Sequence, residues 1–401
     1  MASFDGLDRM KALLSALGNP EADFRAIHIA GTNGKGSTAV MTASILEEAG
    51  FTVGLYTSPH LEDECERVQI WNDTHQMIDQ SHFDDLKDRV RKIESKATVF
   101  EVYTAAAYLY FAEMHPDYVV LETGLGGRLD STNTLEKPLV TVITQVGLDH
   151  TAELGRTIFR IAHEKAGIIK PGVPVVSQTP DLNVKNVFRR TAAEKGCEFI
   201  DVSAMYDRYR GMELSMKGEH QIRNAATAAE AIRAAGIEVS DEAVAIGLAN
   251  AYLPGRFEIL NEESAGRGEP FFIIDGAHNP DAIGALTETL TAFARDHKIK
   301  RIFVIFGCMK DKNYTRMIQL MTGNMRGCTY ATAAVEYGRA EDPERLGEIF
   351  AACGRSCIVC DSAAESYEIS KDGNYECVLV TGSIYLAGEL RSLYLQDHKS
   401  L

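Results

Sequence analysis

The stretch FRAIHIAGTNGKGSTAV, residues 24–40, decides the fold. FRAIHIA is an apolar run of strand length, and from about residue 37 to residue 49 small and apolar residues recur with helical spacing until Gly50 stops them. TVGLYT, residues 52–57, supplies the next strand, so the unit reads strand, loop, helix, strand. A loop in that setting presents its N–H groups and the positive end of a helix dipole to an anion. Gly31, Gly34 and Gly36 let the backbone curl around phosphate oxygens, with Thr32 and Asn33 between them. Lys35 offers a charge to the outer phosphates and Ser37 a hydroxyl to magnesium. The spacing departs from the general phosphate loop: two residues, not four, separate the first glycine from the Gly-Lys pair, and an extra glycine precedes the serine. A bare glycine-rich turn is the alternative, and the placement of Lys35 and Ser37 favours phosphate.

Outward from this unit the alternation continues. Helices are expected from Ser81, with Ser81 and Asp84 as a capping box, and over residues 101–114, 156–168 and 220–235. YVVLET, LVTVITQV (139–146) and PVVSQ read as strands, giving parallel strands covered by helices. NEESAGRGEP, residues 261–270, loses the apolar period and reads as a linker, which places one domain at 1–262 and a second at 263–401. Beyond it FFIID, RIFVIFG, RSCIVC and YECVLVTG are strands separated by helices over 281–294 and 343–352, a smaller doubly wound α/β domain.

Composition narrows the classes. A chain of 401 residues exceeds one ordinary core, and 45% hydrophobic with 24% charged residues is the balance of a globular enzyme. A net charge of -16 without a basic run argues against a nucleic-acid partner. MASFDGLDRM carries acids and no basic segment before an apolar one, and no run reaches bilayer-spanning length, so a cytoplasmic protein with no membrane partner is expected. The eight cysteines are expected as free thiols. Cys357 and Cys360 form a C-x-x-C, but CIVCD reads as a short buried strand whose residues three apart point to opposite faces, so zinc is not expected there.

Ligands in open α/β sheets bind beyond the strand ends, where Ser58, Glu122 and His150 collect in the first domain. Magnesium prefers oxygen, so His150 is an unusual ligand, and a hydrogen-bonded histidine is the plain alternative. GLGGRLD, residues 124–130, marks a backbone that approaches something closely. DGAHNP, residues 275–280, puts Asp275 and His278 at a strand end of the second domain, with Asn279 equally suited to capping the next helix.

GTNGKGS, TSPHL with ERV, FEVYTAAAYLYF, ETGLGGRLDSTN, the pair Asp149 and His150, EKAGIIKPG, HQIRNAATA, LPGRFE, DGAHNP, FGCMKDKN and TGSIYLAGELR occur in this order along the chain. Together they resemble folylpolyglutamate synthase and its bifunctional relative dihydrofolate synthase, within the Mur-type peptide ligases. The resemblance implies a Mur-ligase-type P-loop ATPase domain followed by a smaller Rossmann-like α/β domain. It implies an ATP-dependent amide ligase that joins L-glutamate to a folate, or to dihydropteroate, through an acyl phosphate. The implied groups are ATP, two magnesium sites, a carbamylated lysine and a monovalent cation, in a monomer. By the same likeness residues 31–37 with Asn224, Arg256 and Asp275 would bind ATP, and Ser37, Ser58, Glu122, His150 and carbamylated Lys165 would serve the metals. Arg67, Asp130, His278, Ser383 and Tyr385 would bind substrates, and Lys35, Glu122, His150 and Lys165 would form the catalytic set. A nucleotide switch without ligase activity and a cell-wall ligase are the competing readings. Two departures stand out. Glu62, Asp63, Glu64 and Cys65 replace a hydrophobic and basic stretch, which is expected to weaken binding of an anionic polyglutamate tail, and Gly338 replaces a proline before Arg339.

Overall fold

The structure, a computed structural model, describes residues 7–262, 265 and 269–398, so the middle of the expected linker lies outside the described residues. The chain divides into two compact units, Met1–Ser215 with His220–Tyr252, and Met216–Glu219 with Leu253–Leu401. Among the described residues no helix is long and apolar enough to cross a membrane.

The first unit is built on an eight-stranded sheet. Its strands are β1 (Ala26–Ala30), β2 (Val53–Tyr56), β3 (Val68–Trp71), β4 (His75–Met77), β5 (Tyr118–Glu122), β6 (Val140–Ile143), β7 (Val175–Ser177) and β8 (Phe199–Asp201), in the order β4-β3-β2-β5-β1-β6-β7-β8. The pairings from β2 through β8 are parallel, as expected from the alternation, while β3 and β4 add an antiparallel edge. Parallel strands need cover on both faces. The helix after the glycine loop, Lys35–Glu48, begins two residues before the expected start and is buried from residue 37 to residue 46. The helix Asp241–Asn250 closes on it at Gly247, where an added Cβ would lie 2.6 Å from the Ile45 Cα. The same contact is tied by Ser44 Oγ donating to the Gly247 carbonyl at 2.7 Å.

Two helix starts refine the sequence reading. The helix Gln80–Ile93 is capped by Asp79, whose carboxylate accepts from the N–H groups of Ser81 and His82, so the expected Ser81–Asp84 box is displaced by the stronger acceptor upstream. The helix Val99–Met114 opens two residues before the expectation with a reciprocal capping box between Thr98 and Glu101, and Arg9 adds an ion pair to that same glutamate at 2.9 Å.

The second unit carries a six-stranded sheet of β9 (Glu258–Ile259), β10 (Phe271–Ile274), β11 (Ile302–Phe306), β12 (Cys328–Ala333), β13 (Cys357–Cys360) and β14 (Cys377–Thr381), ordered β13-β12-β11-β14-β10-β9. The division between units at residues 252 and 253 precedes the expected boundary at 262 and 263. The reason is β9: it pairs antiparallel with β10, and Phe257 beside it packs into the second unit's core. The polar 261–270 stretch therefore joins β9 to β10 within one unit. CIVC forms the expected strand, but on the sheet edge, with Ile358 and Val359 exposed. The strand β12, CTYATA, was hidden because its polar and small residues lack an apolar period, although four of its six residues are buried.

Candidate active site

In the first unit the loop between β1 and the helix Lys35–Glu48 is held from below by the segment after β6. Thr32 N donates to the Gln145 carbonyl at 2.7 Å and Asn33 N to the same oxygen at 3.3 Å, while Thr144 Oγ1 donates to the Asn33 carbonyl at 2.8 Å. This bracing ends β6 at Ile143, earlier than the expected 146, and leaves His150 beyond the strand end rather than at it. His150 is exposed, with a left-handed backbone (φ 48°), and its N–H donates to Asp149 at 2.8 Å.

Gly34 is the N-cap of the helix, at φ 85°, and a Cβ there would fall 2.4 Å from Asn224 Oδ1. Having no side chain, it leaves the N–H groups of the first turn without a side-chain cap. Asn224 is buried and oriented by Gln178 and Gln221, at 3.0 and 2.8 Å. Lys35 Nζ lies 3.7 Å from Glu122 Oε1, and the other carboxylate oxygen accepts from Ser58 N at 3.0 Å. Ser37 is buried beside them in sequence, on the first turn. Lys35, Glu122 and Ser58 are thus brought together from the ends of β1, β5 and β2.

Lys165, to which the resemblance assigns a carbamate, is only 2% exposed, and its side-chain nitrogen donates to the Gly31 carbonyl at 2.6 Å. Burial, and after it the charge of Lys35, brings its pKa down to about 7. Asp130 is also buried. Its carboxylate accepts from Leu125 N at 2.7 Å, from Thr132 N at 3.0 Å and from Thr132 Oγ1 at 2.6 Å. Burial raises its pKa, against these hydrogen bonds. Behind it stands His28, fully buried within β1, with Nε2 2.8 Å from Thr132 Oγ1 and Nδ1 without a hydrogen-bond partner. Burial pushes the imidazole down to about 3, so it is neutral. Sequence reasoning passed over His28; its only signal was one polar residue inside an apolar strand.

Arg67 ends the short 3-10 helix Glu64–Arg67. Its Nε donates to His60 Nδ1 at 2.9 Å, and its guanidinium sits 5.2 Å from the centre of the Tyr103 ring. The acidic stretch before it is largely turned to structural use: Asp63 caps the helix, and Glu64 accepts from Lys87, Tyr103 and Gln80.

The second unit gathers its own group at the ends of β10 and β14. Asp275 accepts from Phe257 N and Ala277 N, each at 2.9 Å, and burial raises its pKa while Arg256 opposes the rise. His278 Nδ1 lies 2.8 Å from the Gly276 carbonyl, and Gly382 N donates to the Ala277 carbonyl at 3.0 Å, binding the two strand-end loops together. Ser383 is buried and accepts from Tyr385 N at 3.2 Å, and the Tyr385 ring stacks on Tyr337 at 4.2 Å. Asn279 caps the helix Pro280–Asp296, the structural role of the two considered.

The residues of the first unit fit a nucleotide and a divalent cation: uncapped N–H groups open the helix, Gly34 leaves no room for a side chain, and Ser37, Ser58 and Glu122 offer hard oxygens. Comparison with known proteins agrees in kind. The Mur ligase middle domain matches residues 29–205 and the Mur ligase glutamate ligase domain matches residues 255–384. The dihydrofolate synthase/folylpolyglutamate synthase of Bacillus subtilis is 37% identical over 96% of this chain and 94% of its own length. The structure of E. coli FolC in complex with DHPP and ADP superposes with a TM-score of 0.84 at 30% identity, covering 99% of this chain and 94% of that one. The bifunctional enzyme of Yersinia pestis, solved with AMPPNP and a Mn ion, gives 0.85 at 27% identity, covering 98% and 95%. With both ligase domains matched and a relative aligned nearly end to end, the chain belongs to the folylpolyglutamate synthase/dihydrofolate synthase family of the Mur ligases.

Proposed function

We propose that this chain is an ATP-dependent ligase that adds L-glutamate to the carboxylate of a folate by way of an acyl phosphate, releasing ADP and phosphate. The observation that carries the reading is the loop of residues 31–37, with Lys35 beside Glu122 and the buried Lys165 amine against the Gly31 carbonyl. A carboxylate is a poor electrophile, and phosphorylation makes it one. The loop N–H groups and Lys35 hold the ATP phosphates and meet the charge that builds during transfer. Asn224, Arg256 and Asp275 belong to the nucleotide side. Ser37, Ser58 and Glu122, with His150 at a second site, would hold divalent cations, which would supply positive charge against the phosphates. Arg67 and Asp130 bind the folate acceptor, and His278, Ser383 and Tyr385 bind glutamate, whose amine is the nucleophile toward the acyl phosphate.

Lys165 is the residue for carbamylation. A neutral amine adds to carbon dioxide with loss of a proton, and burial supplies that neutral amine near pH 7. The monovalent cation implied by the resemblance has no side chain assigned to it. The chain is taken to act as a monomer, which light scattering checks. Dihydropteroate is the second acceptor, favoured because the B. subtilis relative carries both activities in its name.

The test is purified protein with MgATP, glutamate and, separately, tetrahydrofolate or dihydropteroate, followed by mass spectrometry. ADP release that needs both glutamate and acceptor, with a glutamate adduct on the acceptor, is expected. An adduct on neither acceptor removes the proposal, and full ligase rate in Lys35→Ala removes the phosphate role of the loop.

A further inference from the structure

Arg67 is restrained on two of its sides. Its Nε–H is used by His60 Nδ1 at 2.9 Å, and one face of the guanidinium looks onto the Tyr103 ring at 5.2 Å. The ring is itself held, because its hydroxyl donates to Glu64, the carboxylate that also takes Lys87. Among the described residues neither Nη group of Arg67 has a hydrogen-bond partner. What remains is the two-pronged edge of a guanidinium whose plane and tilt are already set, the edge that matches a planar anion.

The imidazole can accept only if Nδ1 carries a lone pair, which places the proton of the neutral ring on Nε2. In that tautomer Nδ1 accepts from Arg67 Nε, and the direction of this hydrogen bond sets the guanidinium.

We infer that His60 is a positioning residue: by accepting from Arg67 Nε it fixes the guanidinium so that both Nη groups face the carboxylate-bearing acceptor. This rests on the reading above that Arg67 lies on the folate side. Without the histidine, Arg67 keeps its charge and its place in the chain but regains rotamer freedom, which the acceptor must then restrict on binding.

The experiment compares wild-type, His60→Ala and His60→Asn in the full chain, with acceptor KM, ATP KM and kcat measured. The asparagine amide oxygen stands close to where Nδ1 stood and can accept from Arg67 Nε. Expected are an acceptor KM raised about tenfold in His60→Ala with ATP KM unchanged, and recovery of most of that loss in His60→Asn. An equal rise in ATP KM, or His60→Asn no better than His60→Ala, overturns the positioning role. Should His60→Ala fail to fold, His60→Asn and the wild type still decide: an acceptor KM raised about tenfold in His60→Asn overturns the positioning role. Independently of turnover, 15N-histidine NMR of the wild type should show His60 protonated at Nε2 with Nδ1 bare. Protonation at Nδ1 at neutral pH overturns the inference even if no ligase activity is found, so its failure is separable from failure of the functional reading.

Discussion

Lys165 couples stability to function. Its folded amine titrates at about 7 against an ordinary 10.5, so between those values the unfolded chain binds a proton that the folded chain has released. Stability from this group is therefore complete above pH 10.5 and lost as pH falls to about 7. Lys165→Met should flatten that slope in urea unfolding between pH 7 and pH 10 and raise stability at pH 7 by about 2 kcal/mol, while ligase activity disappears. The residue pair Gly34 and Asn224 is constrained by space. With a left-handed backbone and Asn224 Oδ1 2.4 Å from a Cβ, Gly34→Ala should lower stability by about 1–3 kcal/mol and weaken ADP binding in calorimetry. Removing the Thr132 hydroxyl strips Asp130 of one donor and His28 of its partner. Thr132→Val should therefore destabilise by about 1–3 kcal/mol and raise acceptor KM more than ATP KM. Lys35, Ser37, Ser58 and Glu122 were legible in the sequence because each lies at a strand end or loop that patterning locates. The environments of Lys165, His28 and His60 were not, because burial and partners from residues far along the chain decide whether a lysine or histidine is charged.

At the scale of elements, helix starts separate what a motif proposes from what geometry selects. Asp79 accepts two N–H groups at the start of Gln80–Ile93, so Asp79→Ala should cost about 1 kcal/mol in thermal unfolding, whereas Asp84→Ala, altering the other member of the expected box, should fall well short of that as a capping loss. A comparable or larger loss of helix capping from Asp84→Ala would restore the sequence-based assignment. Both assignments satisfy the same local rule, and a carboxylate one residue ahead of the helix wins because it reaches the first free N–H groups. β12 shows the opposite limit: its residues are buried by neighbours on both sides, β11 and β13, rather than by an alternating pattern of its own.

For the whole molecule, the division at residue 253 rather than 263 has a consequence for fragments. A chain starting at Leu253 keeps β9, Phe257 in the core, and Glu258, which receives Arg391 Nε at 2.9 and 3.0 Å. One starting at Pro270 loses all of these and leaves Arg391 without that carboxylate. The longer fragment should unfold cooperatively in calorimetry, and the shorter should melt at lower temperature or fail to fold; equal melting would put the boundary back at the polar stretch. Local order, the glycine loop, the alternation of strand and helix and the family were determined by the sequence itself, because strand and helix periods and short motifs are properties of neighbouring residues. Where the second unit begins, which residue caps a helix, and which lysine is neutral were decided only by the tertiary structure, because each depends on burial and on partners that folding brings from elsewhere in the chain.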